Sequence, residues 1–172
     1  MGIPTLIKTL TASGSASLEF VDGASDVTLD STYDEYMFVF TDINPATDAA
    51  DFTFQVNATD GADYNDSAIT STVFRAYHRE NDNNASLDYV TGEDQAQGTA
   101  FQILASAIGN DADQSCAGEL HLFNPASTTY VKHFYARMSR YFPSGSGDGA
   151  GDHFAAGYIN DTTAIDDIQF KF

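Results

Sequence analysis

Apolar and polar residues in this chain alternate mostly with a period of two, the period of a strand with one face inward and one outward. The pattern is clearest at residues 35–42, where Tyr36, Phe38 and Phe40 interleave with Met37, Val39 and Thr41. Apolar side chains on both faces predict a central strand that is covered on both sides. Residues 52–57 put Phe52, Phe54 and Val56 on one face. Residues 70–79 set Val73, Arg75, Tyr77 and Arg79 against Phe74, Ala76 and His78. A polar loop at 80–84 then leads back into a strand at 86–90. Two earlier strands are predicted at 5–9 and 16–21.

The second half repeats this texture. Residues 101–108 form an apolar run closed by Gly109-Asn110-Asp111; it reads as a strand, although its length also admits a helix. Residues 118–123 and 130–140 flank a turn-like connector at 124–129 and predict a long hairpin. Residues 144–152 hold four glycines and predict a mobile surface loop. Residues 153–159 and 165–172 make the last two strands. About ten strands with turn clusters at fairly even spacing predict an all-β protein, an antiparallel β-sandwich of jelly-roll-like type. No linker or repeat divides the chain, so one domain over residues 1–172 is expected.

Composition sharpens this picture. The 172 residues are enough to bury a core. Twenty Asp and five Glu face only seven Lys and Arg, for a formal charge of −18. That balance argues against nucleic acid and anionic membrane as partners, since both need a basic patch. It also predicts a fold that salt stabilises, by screening self-repulsion. No apolar run approaches the ~18 residues of a membrane span. Met1-Gly2-Ile3-Pro4-Thr5 lacks the basic start and apolar stretch of a secretory signal. The single cysteine, Cys116, excludes an internal disulfide and fits synthesis in a reducing cytoplasm.

Residue types that carry chemistry are present without the spacing chemistry needs. The Gly-rich stretch at 144–151 has no following Lys and carries Asp148, so it does not suit a phosphate. Glu119 and His121 share a strand face, with His133 on the next strand, but no paired metal motif accompanies them. Cys116 and His121 lack the third group that would orient a nucleophile pair. Hard oxygen ligands for calcium cluster at Asp60, Asp63, Asn65 and Asp66, and again at Asn110, Asp111 and Asp113, with Asp148 and Asp152 elsewhere. None has EF-hand spacing, and a solvated acidic surface accounts for them better. Of these, Asp60, Asp63, Asp111 and Asp113 are the calcium candidates. Tyr64, Tyr77, Tyr89 and Tyr141, near loops, are candidates for stacking on sugars. Four Asn-x-Ser/Thr triplets, at Asn57, Asn65, Asn84 and Asn160, match what composition alone produces. These readings point to no catalytic residue and no cofactor.

Several stretches together resemble a family of small virion-associated structural proteins of tailed bacteriophages, marine ones especially. They are Ile3-Pro4-Thr5-Leu6-Ile7, Ala12-Ser13-Gly14-Ser15-Ala16-Ser17-Leu18-Glu19-Phe20, the run from Leu29 through Tyr36 into Met37-Phe38-Val39-Phe40, and Asp42-Ile43-Asn44-Pro45-Ala46-Thr47-Asp48. Phe74-Arg75-Ala76-Tyr77-His78, the run from Leu120 to Phe134 with its Asn124-Pro125-Ala126-Ser127 turn, and Ala155-Ala156-Gly157-Tyr158 continue the likeness. It covers nearly the whole chain, and its motifs are structural. Similar sequences continue past Ile168-Gln169-Phe170-Lys171-Phe172 into one more strand. Here the chain stops inside that strand, which leaves an edge for another chain to fill.

The resemblance implies a virion protein made in the host cytoplasm. Two roles are compatible with it: a capsid decoration or cement protein on the particle exterior, and a tail-fibre or tail-tip module that binds host surface glycans. A depolymerase is a third and more distant reading. The absence of a helical or repetitive attachment region favours decoration. The partners expected are other virion proteins and further copies of the chain, three in all where the apolar termini join in a closed ring. Ile3, Leu6, Ile168, Phe170 and Phe172 are the expected assembly contacts.

Overall fold

The computed structural model describes residues 3–58 and 63–172. Among them are eleven strands and no helix: β1 Ser17–Val21, β2 Glu35–Ile43, β3 Ala50–Ala58, β4 Ile69–Arg79, β5 Ala85–Tyr89, β6 Ala96–Gly98, β7 Gln102–Ile108, β8 Cys116–Phe123, β9 Lys132–Phe142, β10 Gly149–Ile159 and β11 Ile165–Lys171. Every pairing is antiparallel. One sheet has the order β1-β11-β3-β7, and the other β2-β8-β9-β10-β4-β5, with β6 beside β5 on the edge of β4. The two sheets pack as a sandwich, as the alternation predicted. The chain crosses between them at β1/β2, β2/β3, β3/β4, β6/β7, β7/β8 and β10/β11, a jelly-roll-like wiring with the hairpin β9–β10 inserted beside β8.

The inward positions of both sheets form one apolar cluster. Phe170 is its hub: the rings of Phe20, Phe38, Phe40, Phe52 and Phe54 lie 4.9–6.5 Å from it. Such edge-on and tilted contacts add to what burial of the rings supplies. β3 is buried on its other face too, where Gln55 donates to the carbonyls of Ser67, Thr99 and Ala100. The loop segments holding those carbonyls lie over that side of the sheet, with Tyr64 against Phe101 at 6.3 Å.

Several sequence expectations are corrected. Residues 5–9 form no strand. β2 is an edge strand, not a central one: its inner face is buried, while Met37 and Val39 stand exposed. β11, expected at an open edge, lies between β1 and β3. The run at 101–108, by contrast, is a strand as expected, β7. The Gly-rich loop before β10 is pinned, because Asn81 and Asn83 donate to Ser146 O, and Tyr141 Oη and Ser144 N donate to Asp148. β6 was not foreseen, being three residues of Ala, Gln and Gly with no strand propensity.

Candidate docking face

The outer face of the larger sheet follows from alternation in six strands. Each of them turns one set of side chains into the core and the other outward. Register sets the outward residues in rows. One row runs Val39, Glu119, Arg137, Phe154, Phe74, Tyr89 across the full sheet. The next runs Met37, His121, Tyr135, Ala156, Thr72. Six large apolar side chains on this face, Met37, Val39, Phe74, Leu87, Tyr89 and Tyr135, are 43–72% exposed. Nothing in the described chain covers them.

Neighbours hold the rings upright. Phe74 and Phe154 stack at 4.8 Å with planes 9° apart. The Arg137 guanidinium lies 4.9 Å from the Phe154 ring, a cation–π contact. His121 and Tyr135 stack at 4.4 Å. The Nδ1 atom of His121 meets Glu35 Oε1 at 2.5 Å, and its Nε2 faces Glu119 Oε1 at 3.5 Å. Arg137 also holds Asp152, with NH2 to Oδ2 at 2.7 Å, and this pair keeps the guanidinium charged. Because the Phe154 ring has neighbours over both of its faces, it offers outward mainly its edge.

Next to this row the sheet dips. Ala76, Ala117, Ser139 and Ala150 floor a shallow trough of ≈ 670 Å³, walled by Val39, Glu119, Arg137, Asp152 and His78. Small side chains make the dip, and Arg137 and the carboxylates give it polar anchors. Over the ladder positions of the whole face the formal charges are Glu35, Glu119, Asp152 and Arg137, a net −2 on a chain of −18. The acidic load therefore lies mostly elsewhere.

Beneath this face lies a buried polar network. The bulge in β7 puts Ala107 at φ 50, and its carbonyl accepts from Arg140 NH1 at 3.1 Å. Arg140 Nε donates to His153 Nε2 at 2.9 Å, so the His153 proton sits on Nδ1, which faces Glu93 Oε2 at 3.4 Å. Arg75 approaches the other Glu93 oxygen at 3.5 Å. Burial works to raise the Glu93 carboxyl, but His153, Ser106 and Arg75 outweigh it and hold it below its ordinary value. Burial, with Arg75 nearby, lowers Arg140 to about 10. Gly151 leaves room for Arg140, since a Cβ there would sit 3.2 Å from Nε. His153 and Arg140 are buried, while the Arg75 side chain keeps part of its surface in solvent.

The residues singled out from sequence fall in scattered places. Asp60 lies outside the described residues. Asp63 accepts from the Asn65 amide, and Asp111 from Gln114, each within a local turn. Asp113 is exposed. The described residues contain no group of three or more His, Cys, Asp or Glu able to hold a metal ion. Cys116 and His121 lie on opposite faces of β8, so they cannot meet. His133 lies on the same outer face, two residues along β9 from the Tyr135 that pairs with His121, and its ring is 6.1 Å from Tyr158. Of these candidate tyrosines, Tyr89 and Tyr141 stand on the outer face, Tyr141 paired with Ala150 at the margin of the trough. Tyr77 packs inward on Phe142 at 5.8 Å, Tyr141 is tied to Asp148, and Tyr64 lies at Phe101.

Two expected assembly residues are corrected. Ile168 and Phe170 are core residues and cannot meet a partner in the folded chain. Phe172 is partly exposed but packs on Phe52 at 5.3 Å. Ile3 and Leu6 do stand in solvent, 93% and 82% exposed. The docking face itself went unrecognised from sequence. The signal was there in the two-faced apolar pattern of residues 35–42, which reads the same whether the second cover comes from this chain or from another. No family model, curated protein or solved structure matches the chain.

Proposed function

We propose that this chain is a structural protein of a bacteriophage particle, a capsid decoration or cement protein that acts without catalysis and seats on the shell through the outer face of its larger sheet. The observation that carries this reading is the concentration of exposed apolar side chains on one face of a strongly acidic protein, a face whose ladder positions carry a net −2 of the −18. Exposed apolar patches of this kind mark interaction surfaces. The acidic remainder keeps free copies soluble and apart, and the lighter charge of this face lowers the like-charge repulsion that contact must overcome. The phage setting rests on the sequence resemblance alone; the face supplies the means of attachment.

The test is binding to particles. Purified particles should contain the protein, with its density on the shell exterior. A Val39→Asp, Phe74→Asp double variant should keep its melting temperature and lose particle binding. Absence from the particles, or density only at the tail tip, overturns the assignment.

The trough favours a second reading, a tail module that binds host glycans. Its volume suits a short oligosaccharide, and Arg137, Asp152, Glu119 and Ser139 offer hydroxyl partners. Calorimetry with neutral oligosaccharides checks it: this reading expects saturable binding that Arg137→Ala abolishes, and the decoration reading expects none.

A further inference from the structure

Two unpaired features complement each other. The first is the arm preceding β1. Residues 3–12 join no sheet, and among the described residues they make no hydrogen bond. Ile7 is the arm's tie to the apolar core, while Ile3 and Leu6 project into solvent. Its sequence, Thr5-Leu6-Ile7-Lys8-Thr9-Leu10, is nevertheless strand-forming, and Pro4 stands where a strand tolerates proline, at the first position.

The second is the outer edge of β2. Among the described residues, β2 pairs with β8 on one side and with no strand on the other. At nine residues it is longer than the other strands that end a sheet path, β1, β5 and β7. Lys, Pro and Gly, which usually protect an open edge, are missing from it. A row of backbone donors and acceptors is therefore open beside Met37 and Val39.

Charge selects the partner. Pairing two β2 edges antiparallel about Val39 would set Glu35 of one copy against Ile43 of the other and crowd Asp34, Glu35 and Asp42 of both copies at the two ends of the ladder, with no base among them. The arm carries Lys8 and no acid, and β2 is bracketed by Asp34, Glu35 and Asp42. We propose that the arm of one copy adds as a strand to the free edge of β2 in a second copy. Leu6 and Lys8, on one side of the arm by alternation, then lie over Met37, Val39 and Glu35 on the outer face. Release of the arm forfeits the partial burial of Ile7, Lys8 and Leu10 and no hydrogen bonds, whereas addition gains a backbone ladder and buries Ile3 and Leu6. The contact is head-to-tail, so it makes a ring where the rotation closes. It joins copies to one another and does not depend on what the larger face seats upon.

Sedimentation and a cross-linking mix test this. The purified chain should sediment at a multiple of 18.5 kDa. Leu6→Asp should shift it to the monomer, and Lys8→Glu should weaken association at least tenfold, with both variants melting like the parent because both side chains lie outside the core. Leu6→Cys chains mixed with Val39→Cys chains under mild oxidation should give mainly the mixed disulfide; Cys116 is buried and stays out of the reaction. A parent that is monomeric at every concentration overturns the proposal. So does an oligomer indifferent to Leu6→Asp, or one in which Val39→Cys chains link mainly to each other, which would mean pairing through β2 or the outer face. Particle binding by the monomeric Leu6→Asp variant would leave the shell-seating proposal standing while isolating the arm's role.

Discussion

The most constrained residues are the polar ones inside the sandwich. Cys116 sits at 1% exposure, and burial pushes its thiol up to about 12 despite the nearby Arg140. The reactive species is the thiolate. The folded protein should thus resist iodoacetamide at pH 8 and take it up only on unfolding, with mass spectrometry as the readout. Glu93 behaves in the opposite sense. Its carboxyl is held below its ordinary value, so it contributes stability that is present above the unfolded-state pKa and is lost as pH falls through the folded-state value. Melting temperature should fall as pH drops below about 4.5. Glu93→Gln should lower stability at pH 7 by about 2 kcal/mol and flatten that acid limb. An unchanged slope in the variant would mean that other carboxylates carry the acid sensitivity. Lys132 is fully buried, with Nζ bonded to the carbonyls of Asp161 and Thr163, which ties β9 to the loop before β11.

Among the elements, β11 joins the smaller sheet together. It pairs with β1 on one side and β3 on the other, and its Phe170 touches five rings. Phe170→Ala should cost about 3–5 kcal/mol in urea unfolding. Deleting residues 168–172 should leave no folded domain at all, because Ile168 and Phe170 are core residues. β10 is equally exacting. A Cβ on Gly157 would lie 2.3 Å from Thr70 O, in the backbone of the adjoining β4, so Gly157→Val should split β10 from β4 and lower the urea midpoint. A variant with the parent's midpoint would show that the pair can spread without loss.

At the scale of the molecule, charge and apolar surface are segregated. The net −18 repels itself across the surface, and the outer face of the larger sheet carries little of it. Thermal melts should therefore show a higher midpoint in seawater-like sodium chloride than at low salt. An unchanged or lower midpoint counts against a repulsive surface. A gain specific to calcium would instead implicate carboxylates such as Asp63, Asp111 or Asp113.

Period-two alternation by itself determined the all-β class, most of the strands and which residues share a face of β2, β3 and β4, because the pleat ties side-chain direction to sequence parity. It also placed Arg75 and His78 on opposite faces of β4. What alternation cannot carry is which strand lies beside which. Phe38 in an edge strand and Phe170 in an inner one share the same local pattern, and only the sheet order separates them. The Arg140–His153–Glu93 network draws on β9, β10 and the loop after β5, with the β7 bulge turning a carbonyl toward Arg140. Each of these residues looks ordinary alone. The docking face was likewise decided by tertiary structure, since outward rows from six strands become one surface only when long-range pairing sets their register.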